Sequence, residues 1–346
     1  MYEQFYGLKE NPFRLNPDPA YLCMTLQHRE ALSGLVYSVC TRPGLTVLTG
    51  EAGTGKTTLL YTLLELLHKR RYISAMCTNP TLTRAEFYDL VVAEFGIEIS
   101  SSLKSRQLLA LQQKLQRNRA EGRPSILIVD EAQRLPAELL EEVRLLLNME
   151  TPREKLLDII LAGQPELMDV LHRPEMRQLK QRISCICKLG PLSIHELREY
   201  LQHRLAQAGL AEQSLFSEPA LDAVYKFSQG IPRLVNSLCD SALRLGFALQ
   251  SQRITQDIVE EAAQDLDLVS VSRKQAADVE EELRAEDYDL MSSLTAAENG
   301  AAAVMPGKLS GDFLSRDAGS QAAPAEVDGN RQRTLGFLSN LMHRWS

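Results

Sequence analysis

The sequence has few aromatic residues, no long hydrophobic run and no excess of positive charge. Aromatic residues make up 6% of the 346 residues, and the net charge is −7. Every apolar stretch is shorter than the ~20 residues that a membrane-spanning helix needs, and the N-terminus lacks the basic start and apolar core of a secretory signal. The charge argues against a general nucleic-acid coat, although a local basic face remains compatible with it. We therefore expect a soluble cytoplasmic protein, unless a partner or a surface helix brings it to a membrane.

The six cysteines form no C-x-x-C pair of the kind that indicates a zinc or redox site. Cys185 and Cys187 alternate on a strand-like run, so their side chains are expected on the same face of that strand. We predict buried free thiols and a reducing compartment for the whole set. The positions are Cys23, Cys40, Cys77, Cys185, Cys187 and Cys239.

Five short apolar runs alternate with helical patterns between residues 45 and 189. This alternation predicts an α/β fold, in which a parallel sheet is covered by helices on both faces. The predicted strands are 45–48, 72–77, 126–129, 157–161 and 184–189. After residue 192 the strand pattern stops, and the helical periodicity that follows predicts a small all-helical domain. Its four predicted helices are 193–208, 217–228, 231–249 and 254–266.

The two ends of the chain differ in composition from the middle. The start is rich in turn-forming prolines and carries apolar anchors, which are Phe5, Tyr6, Leu8, Phe13 and Tyr21. The segment after the helical domain is acidic and then rich in Ala, Gly and Ser, which predicts disorder. We therefore divide the chain into an N-terminal arm 1–30, an α/β domain 31–191, a helical lid domain 192–267, a disordered linker 268–330 and an amphipathic C-terminal peptide 331–346.

A glycine-rich loop follows the first predicted strand and precedes a helical pattern. It fits G-x-x-x-x-G-K-[ST] at every fixed position, the pattern of a phosphate-binding P-loop. Glycines let backbone N–H groups surround phosphate oxygens, and the helix that starts at the loop directs its positive dipole end at the same anion. Lys56 would neutralise phosphate charge and the Thr57 hydroxyl would hold Mg²⁺. The predicted nucleotide-binding residues are Gly50, Glu51, Ala52, Gly53, Thr54, Gly55, Lys56, Thr57 and Thr58.

The third predicted strand ends in two carboxylates, Asp130 and Glu131. Ligands bind at the carboxyl ends of the strands in such sheets. We therefore predict that Asp130 contributes to the Mg²⁺ site and that Glu131 acts as the general base that activates a water molecule. The alternative for the glycine-rich loop is a chance turn, and the strand and helix on either side of the loop argue against it. An apolar run that ends in Asp-Glu is a weak signal alone, but it is a strong one about 75 residues after a P-loop.

Beyond these motifs, the sequence resembles a known family. The P-loop, the segment Val129-Asp-Glu-Ala-Gln133 and the first 22 residues resemble AAA+ ATPases of the general secretion pathway protein A (ExeA-like) group. More distantly, the sequence resembles AAA+ regulators of DNA transposition. The resemblance covers residues 1–267 and implies ATP as the nucleotide, with a P-loop NTPase sheet of the additional-strand type and a helical lid.

The resemblance also implies roles for individual residues. Gln164 corresponds to sensor 1, which contacts the γ-phosphate or the attacking water, and Arg233 in Gly230-Ile-Pro-Arg233 corresponds to sensor 2. Arg182 corresponds to the arginine finger that completes the site of a neighbouring subunit, with Arg177 as its alternative. The segment that begins at His28 resembles the family segment that packs near the adenine. Arg182 could instead be a solvated surface arginine. His28 could instead be a residue with only a packing role.

Three functions remain open from the sequence. The first is an oligomeric AAA+ ATPase that assembles or regulates a secretion or exopolysaccharide export system, acting in the cytoplasm or peripherally on the inner membrane. The second is an ATP-dependent DNA-binding regulator of the transposition type, for which two basic runs would supply phosphate contacts: Lys69, Arg70 and Arg71, and Arg117, Arg119 and Arg123. The third is a nucleotide-binding scaffold with little turnover, which the complete set of catalytic side chains argues against. Secretion-type members commonly continue into a transmembrane helix and a periplasmic region, whereas an acidic tail follows residue 267 here.

Overall fold

The five predicted strands form one parallel sheet. In the computed structural model, which describes residues 2–41, 44–78, 81–98, 103–210 and 215–268, all neighbouring strands run parallel in the order β2-β3-β4-β1-β5. The strands are β1 (Leu45–Gly50), β2 (Ile73–Cys77), β3 (Ser125–Val129), β4 (Leu157–Gly163) and β5 (Ile183–Leu189). Because β4 lies between β1 and β3, the sheet has the additional-strand order, and the predicted fold class is confirmed.

The four helices predicted after residue 192 begin and end within two residues of the predicted bounds. The arm and the sheet region contain α1 (Tyr2–Phe5), α2 (Leu26–Thr41), α3 (Lys56–Lys69), α4 (Arg84–Glu94), α5 (Lys104–Ala120), α6 (Ala137–Leu146), α7 (Glu166–His172) and α8 (Arg177–Lys180). The helical region contains α9 (Ile194–Gln207), α10 (Glu218–Ser228), α11 (Pro232–Ala248) and α12 (Gln256–Asp265). Helix α2 starts inside the segment predicted as the arm, and no helix among the described residues is long and apolar enough to cross a membrane.

Every residue of the three central strands is buried. Since successive side chains of a strand point to opposite faces, complete burial means that both faces of the sheet are covered. One face packs against α4, α5, α6 and α7 in a single hydrophobic cluster. This arrangement leaves the loops at the carboxyl ends of the strands to form the site.

The N-terminal arm packs into a second hydrophobic cluster, the one formed by α9 to α12. Tyr6 and Phe13 are among its buried members, and the Phe13 ring meets Phe216 edge to face at 6.3 Å. The Tyr2 hydroxyl donates to Asp240 Oδ1 at 2.6 Å. The sequence predicts apolar anchors in the arm, and the structure places them on the helical region.

The cysteines follow the prediction with one exception. The Sγ atoms of Cys185 and Cys187 lie 3.8 Å apart on one face of β5, as predicted. Four of the thiols are buried and Cys185 is half-buried, but Cys40 is exposed. The prediction of a buried thiol is wrong at Cys40, because this residue lies on the solvent side of the last turn of α2, beside the exposed Thr41. The predicted linker after Leu268 and the C-terminal peptide lie outside the described residues.

Candidate active site

The glycine-rich loop joins β1 to α3, and its glycines are required by both conformation and space. Gly53 and Gly55 have φ angles of +83° and +96°, which residues other than glycine rarely adopt. At Gly50, an added Cβ would lie 2.2 Å from the carbonyl oxygen of Leu189. The loop therefore has the unobstructed backbone that a phosphate cradle requires.

Lys56 folds back over this loop. Its Nζ donates to the carbonyl oxygens of Gly50 at 2.7 Å and Glu51 at 2.9 Å. Burial lowers the pKa of Lys56, and the nearby carboxylates of Glu131 and Asp130 oppose that shift. The ammonium group is thus held inside the loop, where charge on a polyphosphate would be neutralised.

The oxygen atoms predicted for the metal site lie together. Thr57 Oγ1 donates to Asp130 Oδ2 at 2.6 Å, and Asp130 Oδ1 accepts from the backbone N–H of Glu131 at 2.9 Å. Asp130 is buried at the end of β3. Hydroxyl and carboxylate oxygens are the donors that Mg²⁺ prefers. The residues present therefore fit Mg²⁺ bound between α3 and β3.

Glu131 has an unusual backbone and a specific side-chain partner. Its φ of 55° and ψ of 34° place it in the left-handed region, where a glutamate is strained. Its Oε2 accepts from Gln133 Nε2 at 2.8 Å. Gln133 Oε1 in turn accepts from the backbone N–H of Gln164 at 3.1 Å. Gln164 follows β4 at the same edge of the sheet but does not line the cavity, so it is connected to Glu131 through Gln133.

The helical region closes over the loop. The backbone N–H of Arg233 donates to the Gly53 carbonyl at 3.1 Å, and an added Cβ at Gly53 would lie 2.6 Å from Arg233 Cβ. Pro232 occupies the first position of α11, where its missing N–H costs no hydrogen bond. The segment predicted as sensor 2 therefore contacts the phosphate loop directly.

A cavity of about 270 Å³ lies beside the loop, and the arm forms one of its walls. Lys56, Thr57, Glu131 and Arg233 line it together with residues from α9 and α11. The arm contributes Arg14, Leu15, Asn16, Pro17, Tyr21, Leu22 and Cys23. No residue of the arm except His28 had a predicted site role, because single polar or apolar residues in a turn-rich segment carry no recognisable spacing.

His28 lies in the same cavity against the loop. It is buried, its Nδ1 lies 2.8 Å from Thr25 Oγ1, and its Nε2 is 3.5 Å from the position that a Cβ on Gly55 would occupy. Burial lowers the pKa of His28, and Glu196 opposes that shift. The imidazole therefore lies against the glycine-rich loop and lines the cavity, while its place near the adenine stays a prediction.

Arg204 of α9 holds the arm in place. Its Nη1 donates to the carbonyl of Pro12 at 2.7 Å and to that of Arg14 at 3.4 Å. Its guanidinium lies 5.3 Å from the centre of the Tyr21 ring and 5.2 Å from that of Tyr200, within cation–π range. Sequence reasoning missed this residue, since an isolated arginine on an amphipathic helix resembles a solvated one.

Arg182 lies at the amino-terminal ends of the strands, at the end of the sheet opposite to the glycine-rich loop. It precedes β5, whose first residue Ile183 pairs with Leu45 at the start of β1, and its Nη2 donates to Asn148 Oδ1 at 3.2 Å. The loop follows the other end of β1, five residues away, so about 16 Å of strand separates the two. Arg182 is exposed and cannot reach the site of its own chain; the alternative, Arg177, is also exposed.

Two sequence comparisons give a consistent result. Residues 40–171 match the family model of the AAA domain. General secretion pathway protein A of Aeromonas hydrophila is 41% identical over 267 residues, which are 77% of this chain and 48% of that protein. The chain therefore spans about half the length of this curated relative.

Solved structures share the fold. The ORC2 protein of Aeropyrum pernix, solved with ADPNP and ADP, has a TM-score of 0.56 at 18% identity, over 74% of this chain and 71% of that one. Cdc6p of Pyrobaculum aerophilum has a TM-score of 0.56 at 15% identity, over 76% of this chain and 70% of that one. At such identities, the likeness supports the architecture of the sheet and the helical region.

Proposed function

Because the chain belongs to the AAA+ ATPases, with 267 of its residues aligned to general secretion pathway protein A, we propose that it binds Mg-ATP and hydrolyses it. The observation that carries this proposal is the meeting of Lys56, the Thr57–Asp130 pair and Glu131 at one cavity. Each supplies a different requirement of phosphoryl transfer: neutralised phosphate charge, a metal site and a base for water.

Each of these residues has one task in the proposed reaction. Lys56 binds the β- and γ-phosphates, and Glu131 accepts the proton of the attacking water. Thr57 and Asp130 would hold Mg²⁺, which stabilises negative charge on the phosphates when bound. Gln164 acts as sensor 1, and Arg233 transmits the state of the nucleotide to the helical region through its contact with the loop.

The proposed base pocket lies between the arm and the helical region. Tyr21, Tyr200 and Asn236 line the cavity. The Tyr200 hydroxyl donates to Asn236 Oδ1 at 2.8 Å, which orients the amide so that its N–H groups remain available. Aromatic faces and an amide suit a purine base, and the family implies adenine.

We propose that hydrolysis is coupled to assembly of an oligomer that regulates a secretion or exopolysaccharide export system. The similarity to general secretion pathway protein A supports this pathway. Arg182 is exposed and about 16 Å from its own loop along the strands, so a role in catalysis requires a second copy. Such a copy would present Arg182 to the site of its neighbour, either in the cytoplasm or at the surface of the inner membrane.

The first test measures nucleotide binding and steady-state ATP hydrolysis of the full chain. Glu131→Gln keeps the side-chain size but removes the base, so binding should persist within a few-fold while turnover falls by about 10²- to 10⁴-fold. Lys56→Ala should abolish productive binding. Glu65→Gln, the same substitution on the exposed side of α3, is the matched control. Normal turnover in Glu131→Gln refutes the base role, and a wild-type protein that does not bind ATP contradicts the proposed function.

A second candidate function, an ATP-dependent DNA-binding regulator, is supported by a basic groove at the other end of the sheet. Arg71 and Arg123, which are distant in sequence, line one groove of about 570 Å³ with His68. Lys69, Arg70 and Arg117 are exposed on the helices that end there. Because phosphate contacts release counterions, the affinity of this groove for DNA should fall steeply as the salt concentration rises.

The DNA candidate has its own test. Fluorescence anisotropy with double-stranded DNA at several salt concentrations should show ATP-dependent binding, and the double variant Arg71→Glu with Arg123→Glu should weaken it and reduce the salt dependence. ATP hydrolysis in the presence of double-stranded DNA or anionic vesicles separates the two functions. Stimulation by DNA favours the regulator, whereas stimulation by vesicles favours the export system.

A further inference from the structure

The side chain of Gln133 connects two parts of the candidate site that follow different strands. Gln133 lies in a short 3₁₀ turn, Ala132–Arg134, that follows the catalytic carboxylates. Its amide bridges the Glu131 side chain and the backbone of Gln164, at 2.8 Å and 3.1 Å respectively. Glu131 ends one strand and Gln164 follows the neighbouring one, so the bridge crosses from β3 to β4.

Only one orientation of the Gln133 amide satisfies both contacts. The backbone N–H of Gln164 can only donate, so the atom that faces it must be the amide oxygen. The amide nitrogen then faces Glu131, whose ionised carboxylate can only accept. A group with one donor and one acceptor end is therefore required, which glutamine has and leucine or glutamate lacks.

Gly163 leaves space for this amide. An added Cβ at Gly163, the last residue of β4, would lie 2.7 Å from Gln133 Oε1 and 3.2 Å from its backbone nitrogen. The glycine thus leaves the space in which the bridge sits. Among the described residues, Oε2 of Glu131 also lies 3.9 Å from Arg134 Nε, whereas Oε1 has no hydrogen-bond partner.

We propose that Gln133 is a positioning residue for hydrolysis, which orients the Glu131 carboxylate and makes its orientation depend on Gln164. The inference rests on the proposed ATP hydrolysis and deepens it. With Oε2 held by Gln133, Oε1 is the oxygen left to accept the proton of water. Any displacement of Gln164 by the γ-phosphate moves the Gln133 amide, and the catalytic carboxylate moves with it.

The test compares two substitutions that break different parts of the bridge. Gln133→Leu removes both hydrogen bonds, so kcat should fall by about 10- to 100-fold, the range expected for a misplaced general base, with KM and the Kd for nucleotide unchanged. Gln133→Glu keeps an oxygen for Gln164 but sets a carboxylate beside Glu131. Gln113→Leu and Gln113→Glu, on the exposed side of α5, are the matched controls.

The pH dependence of Gln133→Glu separates positioning from a structural role. Two carboxylates in contact bind a shared proton more tightly than either does alone, and a protonated Glu at position 133 again donates to Glu131. The ratio of kcat in Gln133→Glu to wild-type kcat should therefore rise as pH falls from 8 toward 5. A loss of packing would give a ratio that does not change with pH.

The remaining readouts decide between the inference and its alternatives. In single-turnover measurements, Gln133→Leu should add no loss to Glu131→Gln, because a residue that acts only through Glu131 has nothing left to position. Wild-type kcat in Gln133→Leu, additive losses, or an equal loss of nucleotide binding and melting temperature would overturn the inference. A wild-type protein without turnover would instead contradict the proposed function itself, and the inference with it.

Discussion

The backbone N–H of Arg233 donates to the carbonyl oxygen of Gly53, so the first turn of α11 contacts the middle of the phosphate loop. The contact leaves no room for a side chain on Gly53, since an added Cβ would lie 2.6 Å from Arg233 Cβ. A movement of the loop on nucleotide binding would therefore be transmitted to the helical region through this backbone contact, as we propose for Arg233.

Gly53→Ala should separate the loop from α11 and weaken ATP binding by about tenfold or more, since both a steric clash and a positive φ oppose the new side chain. The measurement is the Kd of a fluorescent ATP analogue. Gly122→Ala is the control: its φ of +69° is also positive, but no atom lies within 4 Å of the added Cβ. Equal affinities in the two variants would contradict a specific contact between α11 and the loop.

Arg204→Met should loosen the arm and weaken nucleotide binding together. The substitution leaves the buried carbonyl of Pro12 without its donor, which costs about 1–3 kcal/mol of unfolding free energy, measured with urea. Arg198→Met is the control on the same helix, where the exposed ion pairs with Glu218 and Asp222 contribute about 1 kcal/mol at most. If Arg204→Met lowers stability but ATP still binds with wild-type affinity, the arm does not form the base pocket.

Much of the fold is predictable because its signals are local. All five strands were predicted within two residues at either end, since each is a short apolar run bounded by turn residues or helical patterns. Pro232 and the preceding Gly230 likewise placed the start of α11 within one residue. The order of the strands follows only from the family resemblance, because no local pattern encodes which strand inserts between β1 and β3.

Some residues of the candidate site could likewise be predicted from local patterns, and others could not. Lys56, Thr57, Asp130 and Glu131 were predicted from motif spacing, and the structure brings them together, although their catalytic roles stay predictions. Gln133 and Arg204 were missed because each depends on a backbone group distant in sequence, the N–H of Gln164 for Gln133 and the carbonyl of Pro12 for Arg204. A backbone carbonyl or N–H looks the same at every residue, so such a contact leaves no trace in the pattern.

Arg182→Ala should lose ATP hydrolysis as a homogeneous protein and regain part of it on mixing with Glu131→Gln. In a mixed oligomer, the Glu131→Gln subunit supplies Arg182 to the intact site of its neighbour. Random mixing in equal amounts makes about a quarter of the interfaces competent in a head-to-tail assembly. The measurement is ATPase rate against mixing ratio. A mixture no more active than either variant alone would show that Arg182 does not act in trans, and Arg177→Ala then tests the alternative.

Asp158→Asn should remove a pH dependence of stability that originates far from the candidate site. Burial raises the pKa of Asp158 from 3.8 to about 7, opposed by the hydrogen bond from the Gly44 N–H and by the nearby Arg119. Because the folded protein keeps this proton where the unfolded chain has lost it, the free energy of unfolding should fall as pH rises from about 4 to about 7 and then level off.

Asparagine keeps an oxygen for the Gly44 N–H but carries no titratable proton, so the variant should lack this slope. Its stability relative to wild type should grow by up to about 4 kcal/mol between pH 4 and pH 8, since each unit of pKa shift corresponds to about 1.4 kcal/mol. Urea unfolding across that range measures the difference, with Asp169→Asn, an exposed carboxylate on α7, as the control. A difference between Asp158→Asn and wild type that stays constant with pH would show that Asp158 is already ionised in the folded protein at pH 4, and that Arg119 and the Gly44 N–H outweigh its burial.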